Sequence, residues 1–240
     1  MIIHTSLIVV LLGHVLGDFY FQPNTMAENK FGRIKWLLVH GIVYILCMAI
    51  ILFLFVRYSH GLLFLFLTVN LSHVTIDFLT RFLKWKRFII DQLAHLAVIF
   101  TSWMIWGGEL MLNEHIALQT IIMDKSVIPV VLGLLCILKP VGILIEQGDV
   151  WSFDKIKSPL SEVHRGTGKM IGYLERIIVY FLLLKGQYTA IAFVITAKSV
   201  ARFPEIGKEG EGRSQAEYYL IGTLLSMVSV FTITLLLGLI

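Results

Sequence analysis

Seven residues of metal-binding type recur at helical spacing before residue 100 of this 240-residue chain. His14, Asp18 and Gln22 stand at i, i+4 and i+8, which puts all three on one face of a helix. His73-x-x-x-Asp77 repeats that spacing, with Asn70 on the same stripe. His40 is followed one turn later by Tyr44, and Asp91, Gln92 and His95 complete the set. Imidazole and carboxylate on facing helices are how metal sites are built in helical bundles. Such ligands suit zinc, iron or manganese. His14, Asp18, His40, His73, Asp77, Asp91 and His95 are therefore the candidate ligands of a divalent metal such as zinc, and no other cofactor is indicated. Two other readings stay open. An Asp can accept the second ring N–H of its His and the pairs can simply bind helix to helix. Alternatively, the cluster can relay protons or cations.

A different chemistry marks the second half. Glu175, Arg176, Lys198, Arg202 and Glu217 either neutralise one another, as buried charges must, or form an anion site. Arg offers a planar fork for phosphate or carboxylate, and Gly172 and Gly222 permit close helix approach. A basic pocket on the cytoplasmic side also suits a lipid head group.

The elements that carry these residues follow from composition. The chain is 57% hydrophobic and 15% charged, with a mean hydropathy of +0.82. Soluble domains carry about 25% charged residues, so a soluble surface is short of material, and the expected class is an all-α, polytopic transmembrane bundle. A bilayer core needs about 20 apolar residues per helix. Eight stretches qualify, at 2–21, 36–56, 61–80, 88–106, 127–145, 170–184, 187–203 and 217–239. Fifteen of the twenty Lys and Arg residues fall in the gaps after the first, third, fifth and seventh stretches or, for Lys198 and Arg202, at the end of the seventh. Basic loops stay in the cytoplasm, so both termini are expected outside, and the formal +4 charge calls for no nucleic-acid partner. The N-terminal stretch lacks a basic n-region and a cleavage site and reads as a retained span. Cys47 and Cys136 are mid-span and imply no disulfide.

Two four-span halves result, 1–106 with the His/Asp cluster and 127–240 with the Glu/Arg/Lys cluster. Between them, 107–126 is expected to lie on the extracytoplasmic membrane surface, with Leu110, Leu112, Ile116 and Ile121 toward lipid and Glu109, Glu114 and Asp124 toward water. In this topology four helices deliver all seven candidate ligands to one layer in the cytoplasmic third of the membrane. His4, His60 and His115 fall at the outer surface.

These motifs carry a family resemblance. Gly13-His14-x-x-Gly17-Asp18-Phe19-x-x-Gln22, His40, His73-x-x-x-Asp77 and Asp91-Gln92-x-x-His95 resemble a bacterial family of multipass membrane proteins known only as a domain of unknown function (3307). Gly172-Tyr173-Leu174-Glu175-Arg176, Ala197-Lys198 through Arg202-Phe203, and Ala216-Glu217 through Thr223 look like its longer members. The resemblance implies location in the bacterial cytoplasmic membrane and no established activity. The chain is more loosely similar to membrane-bound metal-dependent hydrolases, but lacks their opening His-Arg-x-x-Thr-His pattern.

The leading expectation is a membrane-embedded metalloprotein hydrolysing a phosphate-bearing or lipid-like substrate, with Arg176, Lys198 or Arg202 holding its anionic group. A proton-coupled transporter requires a polar path to the outer face, and the outer halves of the second, third and eighth stretches are almost wholly apolar. A non-enzymatic anchor would use the loops at 30–35 and 146–169 to dock a cytosolic protein partner.

Overall fold

The computed structural model describes residues 5–30, 32–83, 87–111, 127–146, 162–201 and 211–240. Among these the secondary structure is helical, with no β-strand. Two compact units, Met1–Leu132 and Gly133–Ile240, are described in turn.

The first unit is built from α1 (Thr5–Val15), α2 (Asn24–Asn29), α3 (Ile34–Phe55), α4 (His60–Thr80) and α5 (Arg87–Trp106). Beyond Val15 the first helix widens into one π turn, Leu16–Tyr20, closed by Phe21 N–H donating to the Leu16 carbonyl at 2.8 Å. Pro23 has no N–H to contribute to a ladder and stops this helix, then opens the short α2 from an extended ψ of 151°. Ser59 caps α4 by accepting from Leu62 N–H at 3.1 Å. The 3-10 turn Gly107–Glu109 at the end of α5 brings the Glu109 carboxylate to Gly61 N–H at 2.8 Å. Two of the four orphan donors at the α4 N-terminus are satisfied in this way.

α1 packs on α3, α3 on α4, α4 on α5 and α5 back on α1, so the four long helices close a ring. Neighbours run antiparallel: Gly41 of α3 lies against Val74 of α4, while Phe53 meets Phe66 at a ring separation of 6.0 Å. Val9, Val10, Met48, Leu52, Leu62, Leu65 and Ile99 fill one end of the ring. They precede His14 and His73 but follow His40 and His95, so the histidines share the opposite end. Outside, Ile42, Leu46, Ile50, Leu71, Phe100 and Met104 are exposed. The polar groups are inside and the apolar ones outside, the inverse of a soluble bundle.

The unit boundary falls within α6 (Val127–Glu146). The second unit continues with α7 (Glu162–Leu184), α8 (Tyr188–Ala201) and α9 (Glu211–Leu236). α8 and α9 both pack on α7. The α7–α8 hairpin closes as a Schellman motif: Gly186 has φ +65°, Gln187 N–H donates to Leu182 C=O and Gly186 N–H to Leu183 C=O, both at 2.9 Å. Glycine is needed there because side-chain-bearing residues rarely adopt that backbone.

Among the described residues, a helix falls in each of the eight expected stretches. Four of them, Ile34–Phe55, His60–Thr80, Phe88–Glu109 and Val127–Glu146, are long and apolar enough to cross a membrane, and Thr5–Tyr20, Tyr188–Val200 and Leu220–Leu236 are shorter apolar helices. The expected surface segment at 107–126 lies outside the described residues beyond Met111, so Leu112, Glu114, Ile116, Ile121 and Asp124 do too.

Candidate metal centre

Each helix of the first ring brings its polar residues to the cluster by a local device. On α1, Gly13 and Gly17 directly precede His14 and Asp18. A Cβ on Gly13 would lie 2.8 Å from Met48 Sδ, and one on Gly17 would lie 2.9 Å from Tyr44 Cδ2. These glycines let α1 approach α3 closely, the small-xxx-small device of membrane helix pairs. Gly41, next to His40, does the same toward α4, where a Cβ would lie 3.0 Å from Val74 Cγ2. Asp18 sits inside the π turn, a kind of bulge that concentrates at functional sites. The same turn rotates everything after it relative to an unbroken α-helix. Gln22, expected on the face of His14 and Asp18, is buried with its Nε2 unbonded among the described residues.

His14, Asp18, His40, His73, Asp77, Asp91 and His95 are all buried and meet in one network. At its heart, His40 Nε2 lies 3.1 Å from His73 Nε2, 3.3 Å from Asp18 Oδ1 and 3.2 Å from Asp77 Oδ2. His73 Nε2 lies 3.6 Å from the same Asp77 oxygen. One Nε2–H can serve only one of those neighbours well. A tetrahedral ion with bonds of about 2.0–2.1 Å holds its ligands about 3.3–3.4 Å apart. These four separations, 3.1–3.6 Å, are close to the edges of such a coordination shell.

Beside this quartet, His95 Nε2 lies 3.6 Å from Asp91 Oδ2 and 3.8 Å from Asp77 Oδ1. The sets Asp18/His40/His73, His73/Asp77/His95 and Asp18/Asp91/His95 each place three donor atoms within 4.8 Å of one another. Buried Asp18 Oδ1, Asp77 Oδ2 and His95 Nε2 lack hydrogen-bond partners among the described residues, as expected of atoms that face a cation. So do His40 Nδ1 and His73 Nδ1, where a metal-bound imidazole usually has an outer-shell acceptor. That is the one departure from the usual pattern.

His14 stands apart in role. Its Nδ1 is 3.1 Å from the Tyr44 hydroxyl and its Nε2 is 3.4 Å from Gln92 Oε1. Gln92 donates in turn to Asp18 Oδ2 at 2.7 Å and Asp91 Oδ2 at 3.2 Å. Thr80 donates to Asp91 Oδ1 at 2.7 Å. The Tyr44 ring stacks on His73 with centroids 3.5 Å apart, and His73 stacks on His95 at 4.2 Å.

The residue that sequence reasoning missed is Lys30. Counted as a solvated loop charge, it is instead 5% exposed, with Nζ 3.0 Å from Asp77 Oδ1 and 3.6 Å from Asp18 Oδ1. Burial alone would lower its pKa, but the Asp18 and Asp77 carboxylates outweigh burial and hold it above the usual lysine value. The available signal was slight: Met26 and Lys30 lie four apart, and Met26 is the buried residue of α2.

In the second unit, Lys198 donates to Glu175, an ion pair within the expected group. Arg176 is buried on α7 with its guanidinium 5.1 Å from the Tyr173 ring centroid. Its Nε has no hydrogen-bond partner among the described residues. Arg202 lies outside the described residues, and the side chain of Glu217 on α9 does as well. His60 is exposed, and His4 and His115 lie outside the described residues.

Residues 6–124 match the family described as Protein of unknown function (DUF3307). That stretch carries all seven candidate ligands and Lys30. No curated protein and no solved structure matches the chain.

Proposed function

We propose that the chain carrying this family domain is an integral membrane metalloprotein of the bacterial cytoplasmic membrane, whose first unit holds a divalent ion between His40, His73, Asp18 and Asp77. The observation that carries the reading is the convergence of these donors from two helices and a π turn in a buried site: Asp18, His40 and His73 offer atoms within 4.8 Å of one another, and Asp77 Oδ2 lies 3.2 Å from His40 Nε2 and 3.6 Å from His73 Nε2. Charge supports it. Among the described residues, three buried carboxylates, Asp18, Asp77 and Asp91, face one ammonium, Lys30. The two remaining negative charges would be costly in a low-dielectric interior, and one divalent cation cancels them with every histidine neutral. Two imidazoles and two carboxylates suit zinc, manganese or ferrous iron.

Metal-assisted hydrolysis of a phosphate-bearing or lipid-like substrate is the activity this centre fits. Held by three of these donors with the fourth position left to water, the ion would supply a Lewis acid and lower the pKa of that water. Asp91, bonded to Thr80 and Gln92 outside the quartet, would then serve as general base. Metal analysis of protein extracted gently without chelator tests the reading: wild type should carry stoichiometric metal, and His73→Ala should carry none. A metal-free wild type sinks it.

For the second unit, we infer an anion site at Arg176, because an anionic lipid head group would supply the partner its buried Nε lacks. Arg176→Gln should lose anionic lipid that copurifies with wild type. Equal lipid content in the two proteins would rule the site out.

A further inference from the structure

We propose that Lys30 is a resident monovalent cation of the centre, standing where a second metal ion would otherwise bind and limiting the site to one divalent ion. The inference rests on the metal-centre reading and deepens it.

Asp77 divides its two oxygens between different neighbours. Oδ2 faces the imidazole pair, 3.2 Å from His40 Nε2 and 3.6 Å from His73 Nε2. Oδ1 faces away from that pair, toward Lys30 Nζ at 3.0 Å and His95 Nε2 at 3.8 Å. A carboxylate whose two oxygens address separate donor groups is placed to bridge two cations. The second group is itself of ligand type: Asp91 Oδ2 lies 3.6 Å from His95 Nε2, and that nitrogen is buried without a hydrogen-bond partner. Asp18, His40 and His73, with Asp77 Oδ2 beside them, form one cation position, and His95 Nε2, with Asp91 Oδ2 at 3.6 Å and Asp77 Oδ1 at 3.8 Å, marks a second.

Lys30 already contacts the bridging oxygen of that second position and reaches Asp18 Oδ1 at 3.6 Å. Its backbone holds it there: Lys30 N–H donates to Met26 C=O at 2.8 Å, at the end of an α2 anchored by buried Met26. Charge decides between one ion and two. Three carboxylates are balanced by one dication and Lys30, whereas a second dication would leave the buried cluster two units positive. Desolvating that excess is costly. Without the ammonium, a second ion would leave only a single excess charge.

The test counts metal after chelator stripping and reloading with Zn²⁺, and repeats it with Mn²⁺ for electron paramagnetic resonance. Wild type should bind one ion per chain and show an isolated Mn²⁺ signal. Lys30→Met should bind two and show a spin-coupled pair, and Lys30→Arg should return to one. One ion in Lys30→Met, or two in wild type, overturns the proposal while leaving the metal centre standing. No ion in wild type overturns the metal centre itself. Should Lys30→Met fail to fold, Lys30→Gln serves instead: it too removes the ammonium and should bind two ions, and one ion would overturn the proposal.

Discussion

Identical residue types occupy different stations in the cluster, and their neighbours distinguish them. His40 and His73 turn Nε2 toward each other and toward two carboxylates, whereas both ring nitrogens of His14 are engaged by Tyr44 and Gln92. Truncation should separate the two kinds. His73→Ala removes a donor and should abolish metal binding, whereas His14→Ala loosens the groups behind the donors and should weaken it about 10–100-fold. Competition with a chromogenic zinc chelator measures both, and equal losses would contradict the distinction. Tyr44→Phe keeps the stacked ring on His73 and deletes only the hydroxyl, so its loss of affinity should not exceed that of His14→Ala. All seven candidate ligands were legible as residue types at helical spacing. Lys30 was not, because a lysine in a cytoplasmic loop looks the same in sequence whether it faces water or a buried Asp77.

The helices of the first unit are positioned by small residues and terminal contacts. Gly13 and Gly17 differ in what a methyl group would meet. At Gly13 it meets the Met48 thioether, the far end of a flexible side chain. At Gly17 it meets the Tyr44 ring at 2.9 Å and the Tyr44 Cα at 3.5 Å, and that ring is held by its stack on His73. Gly17→Ala should therefore cost about 1–3 kcal/mol by overpacking and lower metal affinity, while Gly13→Ala should be nearly silent. Thermal unfolding in detergent, with metal titration alongside, reads both. Glu109→Ala removes the acceptor at Gly61 N–H and should cost about 1 kcal/mol, with metal content unchanged because the contact lies at the far end of α4. Helix positions were legible from apolar runs of spanning length. The π turn was not, because Leu16-Gly17-Asp18-Phe19-Tyr20 fits an α-helix equally well by pattern. Packing of Gly17 against Tyr44 accompanies the wider turn.

The whole chain combines apolar outer faces with buried charge, which suits lipid as the surrounding solvent. It should stay with the membrane fraction through alkaline carbonate and leave it only with detergent, whereas release by carbonate would count against spanning helices. A reporter fused after Ile240 should be extracytoplasmic if eight helices cross. Because every donor of the centre lies in the Met1–Leu132 unit, Lys198→Ala should break its ion pair with Glu175 without altering metal stoichiometry. The sequence alone determined the helical class, the apolar stretches and the identity of the candidate ligands, because hydropathy and helical period are local properties of a chain. Only the tertiary structure decided which nitrogens and oxygens converge, that His14 serves as a hydrogen-bond link, that Arg176 is buried, and that Lys30 belongs to the cluster. Those facts depend on how close Gly17 lets α1 come to α3 and on where the chain folds back after Pro23, and such through-space distances leave no period in the sequence.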